Sequence, residues 1–151
     1  MTVSRPKFSE MTLGGRVTGG VTTLAEDWSI EALGLRITIL AGFPTDGASV
    51  PILLRRWAGH PFDWPRLAAA LPHDWLYASH AVPRWVADLI FLALLICVKY
   101  PFWSALADWW AVSRFGENAY YHHGIEDQAF AREHGSIGFK LKHQRKEKPN
   151  E

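Results

Sequence analysis

The sequence predicts an α+β fold: an N-terminal β-hairpin or small antiparallel sheet, then a three-helix α core. Two observations carry this. Between residues 16 and 40, β-branched and apolar residues recur at strand-like spacing and are broken by glycines. From Ile52 onward the apolar residues recur at helical spacing, and prolines mark the segment ends. A third observation bounds the size: 151 residues suit one domain with a core of its own. The expected domain spans residues 1–138, and residues 139–151 form a basic tail without fixed structure.

Taken in order, RVTGGVTTL (16–24) has Thr and Val at strand spacing around Gly19-Gly20. DWSIEALGLRITIL (27–40) reads as a hairpin turning near Leu33-Gly34. AGFPTDGASVP (41–51) is dense in Gly, Pro, Thr, Asp and Ser, the mark of a loop with specific backbone demands. WPRLAAALPHDWLYAS (64–79) has the spacing of a buried helix, but Pro72 interrupts it. Proline removes a helical hydrogen bond and crowds the preceding turn, so the helix kinks there or a new one begins. PRWVADLIFLALLICVKY (83–100) reads as the next helix, with Pro83 in its first turn and Pro101 just past its end. FWSALADWWAVSRFG (102–116) reads as the third, closed by Gly116 as a C-cap. Beyond Tyr121 the chain turns polar, and weak order is expected past about Gly138.

Composition narrows the classes. Apolar residues make up 48% and charged residues 21%, which is globular usage. The net charge of +1 gives no electrostatic case for nucleic acid, and none is expected as a partner. The tail KLKHQRKEKPNE (140–151) carries +3, a solvated end or a polybasic contact with lipid headgroups. The single Cys97 excludes an internal disulfide and any multi-cysteine zinc site. MTVSRPKFSE lacks the apolar run of a signal peptide. Residues 86–98 are very apolar, but a bilayer needs about 20 such residues. They read as a core helix, with an interfacial helix as the second reading. Eight Trp are many for this length; most lie among helical apolar residues and are expected to pack in the core.

The candidate site begins from LPHDWLYASH (71–80), where His73 and Asp74 sit in an apolar helical run. A buried charge is costly unless it finds a partner. His73 and Tyr77 are four apart and share a helix face, while Asp74 points about 100° away. The short ASHAVPR connection sends the next helix back antiparallel and brings Asp88 across from His73. A His–carboxylate pair fixes the imidazole tautomer and supports a general base. Asp74 is then left for a hard cation such as calcium, with carbonyl oxygens from the TDGAS loop around Asp46 and Gly47. The alternatives are a buried histidine merely satisfied by Asp88, and a TDGAS turn that only closes an Asx hydrogen bond. Adjacent His122 and His123 diverge on any regular element, so shared ligation of one metal is not expected.

These motifs resemble two known groups. HDWLY followed by AD on an apolar helix, with TDGAS before them, is similar to the phospholipase A2 superfamily, above all its small bacterial and fungal members. GFPTDGASVP, HDWLY, AD and AVSRFG, in that order over residues 37–116, resemble a family of short, uncharacterised phage and prophage proteins. The first resemblance implies that His73 deprotonates a water that attacks an ester carbonyl. It implies that Asp74 binds calcium with backbone oxygens near Asp46 and Gly47, that Asp88 orients His73, and that Tyr77 supports Asp88. The chain departs from that superfamily in having no disulfides and in carrying Pro72 within the helix. The two resemblances together imply a phage-encoded, calcium-dependent lipid ester hydrolase, or else a non-catalytic virion or accessory protein that keeps the polar cluster as a clamp. The implied partners are a phospholipid membrane or virion proteins, and the implied location is the virion or the host cytoplasm.

Overall fold

The computed structural model describes residues 7–8, 13–18, 21–45, 64 and 66–139. The fold is α+β, with small antiparallel sheets followed by helices. One sheet has the order β1 (Lys7–Phe8), β4 (Trp28–Ala32), β5 (Leu35–Ile39), β7 (Gly135–Phe139). The other has the order β2 (Leu13–Thr18), β3 (Val21–Leu24), β6 (Pro44–Thr45).

The hairpin expected at Leu33-Gly34 is present, and its register pairs Ile30 with Ile37 and Ala32 with Leu35. Trp28, Ile30 and Ala32 on one strand, with Ile37 and Ile39 on the other, turn the same face into the core. Both turn residues have positive φ, 54° at Leu33 and 79° at Gly34. A two-residue hairpin loop needs this to match the strand twist. Leucine is a poor choice there, since its Cβ crowds the backbone in the left-handed region. Leu33 is exposed, so replacing it loses little burial. Leu33→Asn should raise stability by about 0.5–1 kcal/mol, read as a higher Tm. An unchanged or lower Tm would show that the turn carries no such strain.

Helix α1 (Arg66–Ser79) is the centre of the molecule, and all of its residues except Asp74 are buried. A helix apolar nearly all round must be surrounded. Here α2 (Arg84–Cys97) packs on one side, while α5 (Ile125–Glu133) and β5 contact others. Pro72 lies inside this continuous helix, which starts at Arg66. A new helix therefore does not begin at the proline.

Helix α2 ends on Lys99 at φ 61°, with Tyr100 N–H bonded to Leu95 C=O at 3.0 Å and Lys99 N–H to Ile96 C=O at 3.0 Å. That is a Schellman close, and Pro101 then starts α3 (Phe102–Phe115).

Three features differ from the sequence expectation. Among the described residues the helical part holds five helices rather than three, because the polar stretch after Gly116 forms α4 (Glu117–His122) and α5. The chain then returns as β7 against β5, pairing Ile137 with Ile37, so the sheet is completed from the far end of the domain. Finally, α2 is not buried on all sides. It buries Ala87, Asp88, Phe91, Leu94 and Leu95 but exposes Trp85, Leu89 and Ile96. Trp28 and Trp75 do pack in the core, whereas Trp85, Trp103 and Trp110 are exposed. Phe139, expected to open the tail, is the last residue of β7, and residues 140–151 lie outside the described residues.

A pair of buried charges fixes α3 to the start of α1. Arg66 Nε donates to Asp108 Oδ2 at 2.8 Å and Arg66 Nη2 to Asp108 Oδ1 at 3.0 Å. The two-pronged geometry suits a planar guanidinium against a carboxylate.

Candidate active site

His73 and Tyr77 stand one turn apart on α1, and Asp88 occupies the second turn of α2. The link at residues 80–83 is short enough that the helices must run back to back. The contacts confirm the sense: Tyr77 meets Asp88, and His73 meets both Asp88 and, further along α2, Phe91.

His73 Nε2 lies 3.0 Å from Asp88 Oδ1, and the Tyr77 hydroxyl donates to the same oxygen at 2.6 Å. Arg84 Nη1 sits 3.8 Å from the other carboxylate oxygen and also donates to Ser113 C=O at 2.9 Å. The imidazole is held between two rings, with centroids 4.1 Å from Tyr77 and 4.8 Å from Phe91. His73 and Asp88 are both buried.

The protonation states follow from this setting. Burial lowers the His73 pKa, and the hydrogen bond and charge of Asp88 pull it back only in part. Burial pushes Asp88 up, but hydrogen bonds from His73 and Tyr77 and the nearby positive charge outweigh it, so its carboxyl stays below the usual range. Burial and the adjacent carboxylate push the Tyr77 phenol well above its ordinary range. At neutral pH the group is therefore a neutral imidazole, a carboxylate and an intact phenol. A neutral imidazole facing a carboxylate puts its proton on Nε2, which leaves the lone pair on Nδ1.

Asp74 points elsewhere, as its helical position requires. Thr45, at the end of β6, donates its hydroxyl to Asp74 Oδ2 at 2.7 Å. Both line a cleft of about 430 Å³. Its remaining walls include Phe43, Tyr77, His122, His123, Asp127 and Phe130. Tyr77 thus belongs to both features, with its hydroxyl on Asp88 and its side chain on the cleft. His73 and Asp88 are not among the cleft walls.

Asp46 and Gly47 lie outside the described residues. The calcium implied by the phospholipase resemblance would need hard oxygen donors. Asp74 offers one such carboxylate at the cleft, beside the Thr45 hydroxyl. Among the described residues no group of three or more His, Cys, Asp or Glu could hold a metal ion. Carbonyl oxygens would have to complete the set.

The sequence drew attention to His122 and His123 only as unpromising joint metal ligands and did not place them at the site. His122, His123 and Asp127 reach the cleft because α4 and α5 fold back on α1. Burial lowers the His123 pKa, while Asp127 raises it and His80 and His122 lower it further. His80 ends α1 at φ 49°, stacks on Tyr120 at 4.0 Å, and its Nε2 lies 2.8 Å from Tyr120 C=O.

Gly116 caps α3 as expected, but at φ −78° it does not use glycine's left-handed freedom. Its role is close approach: a Cβ there would lie 2.6 Å from the Tyr77 hydroxyl and would also meet Val112 C=O. Gly116→Ala should push Tyr77 off Asp88 and lower stability by about 1–3 kcal/mol. Tyr77→Phe removes the same hydrogen bond directly. The two losses should overlap in the double variant; full additivity in denaturant titrations would show that Gly116 does not act through Tyr77.

A family model described as Protein of unknown function (DUF1353) matches residues 22–112. The chain belongs to this family. The DUF1353 match runs from β3 into α3, so it contains Thr45, His73, Asp74, Tyr77 and Asp88 together with the Arg66–Asp108 pair. It stops before β7 and before α4 and α5, which carry residues of the opposite wall of the cleft. No curated protein and no solved structure matches the chain. No helix of the described residues is long and apolar enough to cross a membrane.

Proposed function

We propose that this DUF1353 protein is a phage-encoded lipid ester hydrolase of the phospholipase A2 type, with His73 as general base. One observation carries the reading: His73 and Tyr77 converge on a single oxygen of Asp88, which leaves His73 Nδ1 as the free lone pair. In the proposed step Nδ1 takes a proton from water as the water oxygen attacks the ester carbonyl. The imidazolium so formed is stabilised by the Asp88 carboxylate, whose orientation Tyr77 and Arg84 hold. Collapse of the tetrahedral adduct expels the alcohol, which takes the proton back from His73. If calcium is bound by Asp74 and the carbonyl oxygens of Asp46 and Gly47, it supplies polarisation of that carbonyl. On this reading the substrate is presented by a phospholipid surface.

The test is fatty acid release from phospholipid vesicles by the purified protein, with calcium and with a chelator. Calcium-dependent release is expected. Folded protein that releases nothing in either condition would end the proposal.

A second reading rests on the burial of His73 and its place behind the cleft wall. Here the three side chains are a clamp between α1 and α2 in a virion or accessory binding protein. Its signature is a stability loss on breaking the cluster, binding to a virion component, and no hydrolysis by the intact protein.

A further inference from the structure

We propose that the outer face of α2 and α3 is a docking surface for an anionic lipid bilayer. Trp85, Leu89 and Ile96 recur at four- and seven-residue spacing and form one stripe on α2, opposite the face it buries. Trp103 and Trp110 do the same on α3. Trp103 is 80% exposed and Trp85 65%, which is far from the burial that tryptophan ordinarily finds. The two helices pack against each other. A soluble surface rarely carries this many exposed large apolar side chains on adjacent helices without a use.

Charge decides the occupant. Between Pro83 and Gly116 the chain has two acids, Asp88 and Asp108, and both are buried against basic or imidazole partners. The remaining charged side chains of this segment are Arg84, Lys99 and Arg114. Lys99 and Arg114 are exposed and Arg84 partly so. The exposed side chains of this segment are thus aromatic and aliphatic, and its exposed charges are cationic. Tryptophan, aliphatic residues and Lys/Arg together are the composition of helices lying in a membrane interface. A second copy of the chain would bring like charges together across a two-fold axis, which an anionic surface avoids. Each helix has 14 residues, about 21 Å of length, which fits lying on a bilayer and falls short of crossing one.

This inference does not require that the bound lipid be hydrolysed. Its test uses ether-linked lipids, which the proposed reaction cannot cleave, with chelator present. The full chain is sedimented with vesicles of phosphatidylcholine alone and of phosphatidylcholine with phosphatidylglycerol, at low and high salt. Binding is expected only to the anionic vesicles, weakened by salt, with a blue shift in tryptophan emission. Trp103→Glu and Trp85→Glu lie on exposed positions and should keep the far-ultraviolet spectrum while weakening binding on the order of tenfold or more. Failure to bind, equal binding to neutral vesicles, or undiminished binding by both variants overturns the proposal. So does a dimer in sedimentation equilibrium that Trp103→Glu dissociates, because the face would then belong to a second copy.

Discussion

Asp108→Ala is expected to destabilise the protein by about 3–5 kcal/mol, among the largest losses any single substitution here should cause. The reason lies with the partner left behind. Arg66 is 2% exposed, and its two contacts to Asp108 are short, charge-assisted hydrogen bonds. Without the carboxylate a guanidinium would stay buried with that counter-charge gone. Burial already pushes the Asp108 carboxyl above its usual range, and Arg66 pulls it back only in part. The pair therefore bears a large desolvation cost, which its mutual contact helps to offset. In a chain of this size the loss should appear as a Tm lower by roughly 10 °C or more. Replacing both partners, Arg66→Met with Asp108→Leu, should recover most of it, since an apolar pair of similar volume carries no desolvation cost. A single variant that melts within a degree or two of the parent would mean that the ion pair does not hold α3 in place.

That pair also marks the limit of what a sequence reading can find. Residues 66 and 108 are 42 positions apart on two helices, and nothing local announces that they meet. The His73–Asp88 contact could be anticipated because both ends are local: i and i+4 place His73 and Tyr77 on one face, and a short link folds α2 back. The hairpin at Leu33-Gly34 and the helix boundaries at Pro83 and Pro101 are local as well. By contrast, GSIGF becomes β7 only because β5 presents an open edge, about a hundred residues upstream. The indole N–H of Trp75 donates to Ala131 C=O at 2.7 Å, and the Trp75 ring leaves no room for a Cβ on Gly135. So the return of the chain after Tyr121 is fixed by long-range packing on α1, not by its own polar composition. The far wall of the cleft escaped the sequence reading for the same reason. Thr45, whose hydroxyl holds Asp74, sits in a segment that reads as loop and pairs with Thr22 as β6.

The exposed tryptophans teach a related point. Apolar periodicity identifies α2 and α3 as helices, but it does not say how many of their faces will be covered. In α1 every residue but Asp74 is buried. In α2 and α3 the outward stripes are as apolar as the buried ones, and only coordinates separate the two.

The second large effect belongs to Asp88. Asp88→Asn keeps an oxygen able to accept from Tyr77 and from His73, but it lacks the charge that stabilises a protonated imidazole. If His73 is the base, turnover on vesicles should fall by on the order of 10³–10⁴, as when a triad loses its carboxylate. Stability should fall by only about 1.5–3 kcal/mol, the worth of hydrogen bonds to a charged group. His73→Gln should abolish turnover to a similar degree. The pH dependence gives an independent check. In the unfolded chain His73 takes up its proton as pH falls through about 6.5, whereas burial holds uptake in the fold to lower pH. The unfolded state then binds more protons in that interval. Stability should therefore be full above pH 6.5 and decline as pH drops below it. His123 is shifted the same way, so His73→Gln should reduce this slope and not erase it. The rate profile separates base from clamp: turnover by a neutral His73 stays level above pH 6.5 and falls only at lower pH. Were the intact protein to turn over with a rate that still climbs between pH 7 and 9, the base would be a group other than His73. Were Asp88→Asn to change Tm alone, with turnover untouched, the cluster would hold two helices together and do no chemistry.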